Sequence, residues 1–171
     1  MRYANSLLAT LFNKIRARRH KPLSRIVWIP VAFVLLGFAR AALLTIPFKR
    51  IAPLLGHDMQ SAAVVPLACQ KEISRATHIG HAIRKAAKYT PWESKCLAQA
   101  IAARILLGAN NLPYALFLGV NTRSDGGLTA HAWVCIGPEA LVGGQAFSEY
   151  TVVGTFISTK LVLPLQPMKY L

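Results

Sequence analysis

The hydrophobic period of this chain changes once, at Gly108-Ala109-Asn110-Asn111, and that switch limits its architecture more than any other feature. Upstream, Ile73, Ala76, Ile79, Ile83 and Ala86 recur at spacings of three and four, as do Leu97, Ile101 and Ile105 with Leu106. That is the spacing of an apolar stripe on a helix. Downstream the period is two, the alternation of a half-buried strand. Leu112 to Val120 and Leu128 to Ile136 read as strands joined by a hairpin turn at Ser124-Asp125-Gly126-Gly127. A short strand from Ala140 to Val142 follows, and another from Tyr150 to Phe156. Helices first and an antiparallel sheet afterwards predict an α+β domain.

Punctuation sets the helix ends. Thr90-Pro91 closes the first helix, because a residue before proline is pushed out of the helical region. Ser94 is placed to cap the second, and the Gly108–Asn111 run stops it.

The period analysis places a thiol and an imidazole in facing elements. Cys96 falls in the first turn of an apolar helix, and His131 lies on a strand where it shares a face with Trp133 and Cys135. Unpaired N–H groups and the positive dipole end of a helix stabilise a thiolate. A histidine beside it supplies the base, later protonates a leaving amine, and completes the parts needed for acyl transfer. Backbone N–H groups at the helix start can hold an oxyanion. The blander alternative is a buried small thiol and a hydrogen-bonded core histidine. Cys69 and Cys135 read as buried spectators. His78 and His81, three apart on a helix, could face one ion with a cysteine, but there is no CxxC or HxxxH pair and the surroundings are basic. Neither a metal nor any other cofactor is expected.

At 171 residues, 54% hydrophobic and 15% charged, the chain has room for one domain with a real core. Three cysteines without a secretory disulfide spacing point to a reducing, cytoplasmic compartment. The net charge of +14 favours an acidic partner or a membrane surface. Much of it sits in Lys14-Ile15-Arg16-Ala17-Arg18-Arg19-His20-Lys21. That cluster has no interleaved aromatics and no nucleic-acid-binding signature accompanies it, so nucleic acid is not expected. The apolar run Ile26 to Ala39 is shorter than a bilayer span, and extending it buries Arg40. Pro30 and Gly37 weaken a long helix there. The expectation is a helix packed on the domain, breaking at Pro47 with Arg40 outward; peripheral membrane contact is the alternative. Residues 1–56 are then a basic N-terminal region with an apolar helix, and residues 57–171 the catalytic domain.

The motif Pro91-Trp92-x-x-Lys95-Cys96-Leu97, then Leu118-Gly119-Val120, Ala130-His131-Ala132-Trp133-Val134 and Gly143-Gly144, resembles the transglutaminase-like leader peptidases of lasso-peptide biosynthesis. Phe147-x-x-Tyr150-Thr151-Val152-Val153-x-x-Phe156 and the Pro47-Phe48-Lys49-Arg50…Leu55-Gly56 joint extend the likeness. The resemblance implies a papain-like cysteine protease that cuts a ribosomally made precursor peptide between leader and core. It also implies two partners, a small PqqD-like leader-binding protein and an ATP-dependent, asparagine-synthetase-like cyclase that uses the freed amine. Cys96 would be the nucleophile and His131 the base. The family places an orienting Asp after the histidine, but Asp58 and Asp125 both precede His131 here. Glu139 is the nearest carboxylate that could substitute, with Gln145 or a backbone carbonyl as alternatives. Trp92 and Trp133 are candidate substrate-binding walls. The chemistry up to an acyl-enzyme would equally serve a transglutaminase-type acyltransferase, and a non-catalytic docking protein is the third reading.

Overall fold

The protein is described by a computed structural model covering residues 23–158 apart from 125, 145 and 147. The basic run 14–21, Asp125, Gln145 and Phe147 lie outside the described residues. Helix α1 (Leu23–Thr45) is followed by a short helix α2 (Phe48–Ile51), a 3₁₀ turn (Ala52–Leu54) and strand β1 (His57–Asp58). Helices α3 (Gln70–Ala87) and α4 (Cys96–Ala109) come next, then strands β2 (Ala115–Thr122), β3 (Leu128–Ile136), β4 (Glu139–Val142) and β5 (Thr151–Ile157). The strands form one antiparallel sheet in the order β1-β5-β2-β3-β4.

Alternation along β3 divides the core in two. Ala132, Val134 and Ile136 face the helices and join a cluster with Ile79, Ile83, Ala98, Leu106 and Leu107. Trp133 and Cys135 face the other way, into a smaller cluster with Ala115, Phe117, Ala146 and Ile157. A one-residue slip would exchange these faces, so the pattern fixes the register. That register pairs Gly119 with His131 and Thr122 with Leu128.

The helix ends follow local chemistry. Asn111 takes a left-handed φ of 55°, with Leu112 N donating to Leu107 O and Asn111 N to Gly108 O. This is a Schellman stop with asparagine in the place glycine most often takes. Strand β2 starts three residues later than the alternation predicts, because Pro113 has no N–H for a ladder. Ser94 does not cap α4. The N-cap is Lys95, while Ser94 Oγ turns back to the Thr90 hydroxyl at 2.8 Å. Ile105 lies outward, since the buried face of α4 is carried by Ala98, Ile101, Ala102 and Leu106. Cys69 is exposed rather than buried. It caps α3, its N–H donating to Glu72 Oε2 at 2.8 Å.

Helix α1 runs through both Pro30 and Gly37. Pro30 is on the exposed side, and Gly37 is where the Trp92 ring seats, its Cζ2 3.1 Å from where a Cβ would stand. Ala32, Leu36 and Ala39 enter the main core, with Ile51 and Leu55 behind them. Arg40 is half-buried instead of outward, reaching Glu93 at 3.5 Å. By length and composition, Val27–Thr45 could cross a membrane, and it is the one described helix that could.

Candidate active site

Cys96 is the first residue of α4 and is half-buried. Its position is set by the loop before it, where polar groups converge. The Thr90 hydroxyl lies within hydrogen-bonding distance of the carbonyls of Ala87 (3.1 Å) and Trp92 (3.0 Å), and Gln99 Nε2 donates to Ser94 O at 2.8 Å. Glu93 bridges Arg40 of α1 and Lys95, at 3.5 and 3.1 Å. These pairs are exposed and contribute little stability, about 1 kcal/mol at most, but they tie the loop to α1. No side chain caps α4, so the N–H groups of its first turn remain available to a ligand at Cys96.

His131 is positioned from three sides. Its ring stacks on Trp133 (centroids 6.1 Å apart) and leans on Tyr150 (5.1 Å). Directly across the ladder is Gly119, where a Cβ would come within 2.8 Å of both the Trp133 ring and Tyr150 Cβ. The absent side chain is what lets these aromatics close over the strand beside the imidazole. On the third side, His131 Nε2 lies 2.7 Å from the carbonyl oxygen of Gly143. A carbonyl only accepts, so Nε2 carries the hydrogen and the lone pair of the neutral ring sits on Nδ1. Gly143 has a φ of +80°, and a Cβ there would stand 2.4 Å from Ala132 O and 2.7 Å from Trp133 Cα. Only glycine brings this backbone close enough for its carbonyl to reach the ring.

Cys96 and His131 line one pocket of about 260 Å³, whose other walls are apolar: Phe48, Leu97, Leu118, Val120 and Val153 among them. It lies at the end of β3 that β4 does not reach, since β4 pairs only with Val134 to Ile136. Cys96 packs with the helix-side cluster, whereas the imidazole stacks with Trp133 and Tyr150 of the opposite face. Both line the pocket at this open strand end. Among the described residues no hydrogen bond joins Cys96 Sγ to the ring. Catalytic hydrogen bonds are often completed only when substrate binds.

The other candidates fall elsewhere. Glu139 opens β4 opposite Ile136, five positions along β3 from His131, and its side chain is exposed. Among the described residues no hydrogen bond joins it to the imidazole, and the group at His131 Nε2 is the Gly143 carbonyl. Trp133 is 0% exposed and belongs to the core, so it offers no substrate wall. Trp92 packs on Phe33 (centroids 5.2 Å apart) and Gly37, docking α1 rather than walling the pocket. Burial pushes the Cys135 thiol from about 9 up to about 11, which keeps it protonated and inert at neutral pH. His78 and His81 gather no metal set, and among the described residues no three His, Cys, Asp or Glu side chains come together. Gly143, Tyr150, Phe48 and Val153 carried no assigned role in the sequence. Their only signals were their places in the motifs that carry the resemblance, which do not say what the Gly143 carbonyl or these side chains meet.

A family model described as the transglutaminase-like superfamily matches residues 42–155. No curated protein and no solved structure matches the chain. The matched span contains Cys96, His131, Gly143 and every residue lining the pocket.

Proposed function

The chain belongs to the transglutaminase-like superfamily, which includes cysteine proteases and acyltransferases, and on that premise we propose that it is a cysteine protease acting on a ribosomally made precursor peptide. One observation carries the reading: a thiol at a helix start and an imidazole with its hydrogen fixed on Nε2 line the same apolar pocket. In this reading Nδ1 of His131 takes the Cys96 proton as Sγ attacks the scissile carbonyl. First-turn N–H groups of α4 hold the tetrahedral oxyanion. Collapse breaks the C–N bond, Nδ1 returns its proton to the leaving amine, and water, activated by the same nitrogen, hydrolyses the thioester to a carboxylate.

The finer assignment, removal of a lasso-peptide leader, is supported by the resemblance of the motifs around Cys96 and His131. It brings with it the PqqD-like leader-binding protein and the ATP-dependent cyclase as partners. The test incubates precursor, leader-binding protein and this protein without the cyclase. Free leader and free core are expected, and Cys96→Ala and His131→Ala should abolish both. A new amide bond instead of hydrolysis would establish an acyltransferase, and cleavage that survives Cys96→Ala would remove the nucleophile from the scheme.

A further inference from the structure

Helix α1 presents two apolar faces, and only one of them is covered. Ala32, Leu36 and Ala39 enter the core. On the opposite side Val27, Val31, Val34 and Phe38, spaced four, three and four apart, are exposed, Phe38 by 69%. Exposed Ala41 continues that stripe, and no charged residue interrupts it from Val27 to Ala41. A surface helix of a soluble domain normally turns charge outward, as α3 does with Arg84 and Lys85. An apolar face of this length marks an interaction site.

The charge around the stripe identifies its occupant. Ten of the chain's 20 lysines and arginines precede Asp58, and no acidic residue does. Five of the ten fall between Lys14 and Lys21, immediately before α1, and exposed Lys49 and Arg50 follow it. A protein interface surrounds its apolar centre with mixed polar groups. In the sequence the charges on either side of the stripe are cations alone, which complements an anionic lipid surface. We propose that α1 lies in the plane of an anionic membrane, its outer stripe among the acyl chains and the flanking cations on lipid headgroups. The helix is long enough to span, but spanning would pull Ala32, Leu36 and Ala39 out of the protein core. Lying flat keeps both faces buried. This inference is independent of the chemistry at Cys96.

The experiment is co-sedimentation of the full chain with vesicles of phosphatidylcholine alone or with about 30 mol% phosphatidylglycerol, given that each cation at an anionic surface contributes about 1 kcal/mol. Binding to the anionic vesicles is expected, with release by high salt and little binding to the neutral ones. The double variant Val34→Asp/Phe38→Asp should bind about tenfold more weakly or worse, the loss expected when apolar area leaves the interface. Its thermal melt should be unchanged, because both side chains face outward. If that variant misfolds, Lys49→Glu/Arg50→Glu tests the electrostatic half outside the helix, and an unchanged affinity there overturns the proposal. Alkaline carbonate should strip the protein from the vesicles; retention would mean a spanning helix and overturn the in-plane arrangement. Absence of anionic-vesicle binding overturns it as well, as would loss of leader-binding-protein capture in the double variant while vesicle binding persists.

Discussion

Replacing Gly143 with alanine probes the imidazole's orientation most directly. The residue stands at φ +80°, a region that costs an L-residue roughly 1–2 kcal/mol. The new methyl would also stand 2.4 Å from Ala132 O and 2.7 Å from Trp133 Cα and Cβ, which are backbone or rigidly held atoms of β3. The chain at 143 must therefore move away from β3, and its carbonyl with it. Together strain and displacement should cost about 2–4 kcal/mol. At 2–4 °C per kcal/mol for a chain of this size, that is a fall in Tm of roughly 5–15 °C. A shift of about 1 Å in a catalytic group lowers turnover by about 100-fold, so that is the expected loss of cleavage at a temperature where the variant is still folded. Gly144→Ala is the control. Its φ is +69°, but an added Cβ there meets nothing within 4 Å. It should lose about 1–2 kcal/mol of stability and keep its activity, because the Gly143 carbonyl stays in place. Thermal melts by circular dichroism and timed precursor cleavage read both arms. If Gly143→Ala matches Gly144→Ala in turnover, the carbonyl does not orient His131 and the reasoning fails.

Glu139→Gln should leave turnover within about twofold of wild type, as expected of a surface substitution away from the site; a loss as deep as that of Gly143→Ala would restore it to the catalytic group. Trp92→Ala should lower stability by about 3 kcal/mol by emptying the seat between Phe33 and Gly37, with KM at a permissive temperature little changed. Trp92→Phe should recover most of that stability, since the indole N–H is buried without a partner among the described residues; a KM effect larger than the stability effect would return Trp92 to the pocket wall. Cys135 titrates higher folded than unfolded, so its contribution is complete below about pH 9 and is lost as pH rises towards 11. Cys135→Ala should flatten the decline of Tm across that window, and in the wild type at pH 8 iodoacetamide should modify Cys96 and Cys69 while sparing Cys135, as peptide mapping by mass spectrometry would show.

Much of this molecule was legible in one dimension because secondary structure answers to local periodicity. The three- and four-residue spacing before Gly108 and the alternation after it determined the α+β layout, the edges of β3 and the shared face of His131, Trp133 and Cys135. Asn111 stopped α4 through its own tolerance of a left-handed φ. The two-residue β1 was not legible, since His57-Asp58 has no alternation to read and becomes a strand only by pairing with β5. The thiol and the imidazole could be named from sequence because their residue types carry the chemistry. What holds them could not. The group at His131 Nε2 is a backbone carbonyl, which every residue possesses, and only the close approach of Gly143 to β3 selects this one. Nor could sequence separate a tryptophan in the core from one against a helix or in a cleft, because all three share the same apolar composition. The two faces of α1 divide in the same way: hydropathy reports both as apolar, and tertiary packing alone decides which is spent in the core and which is left facing out.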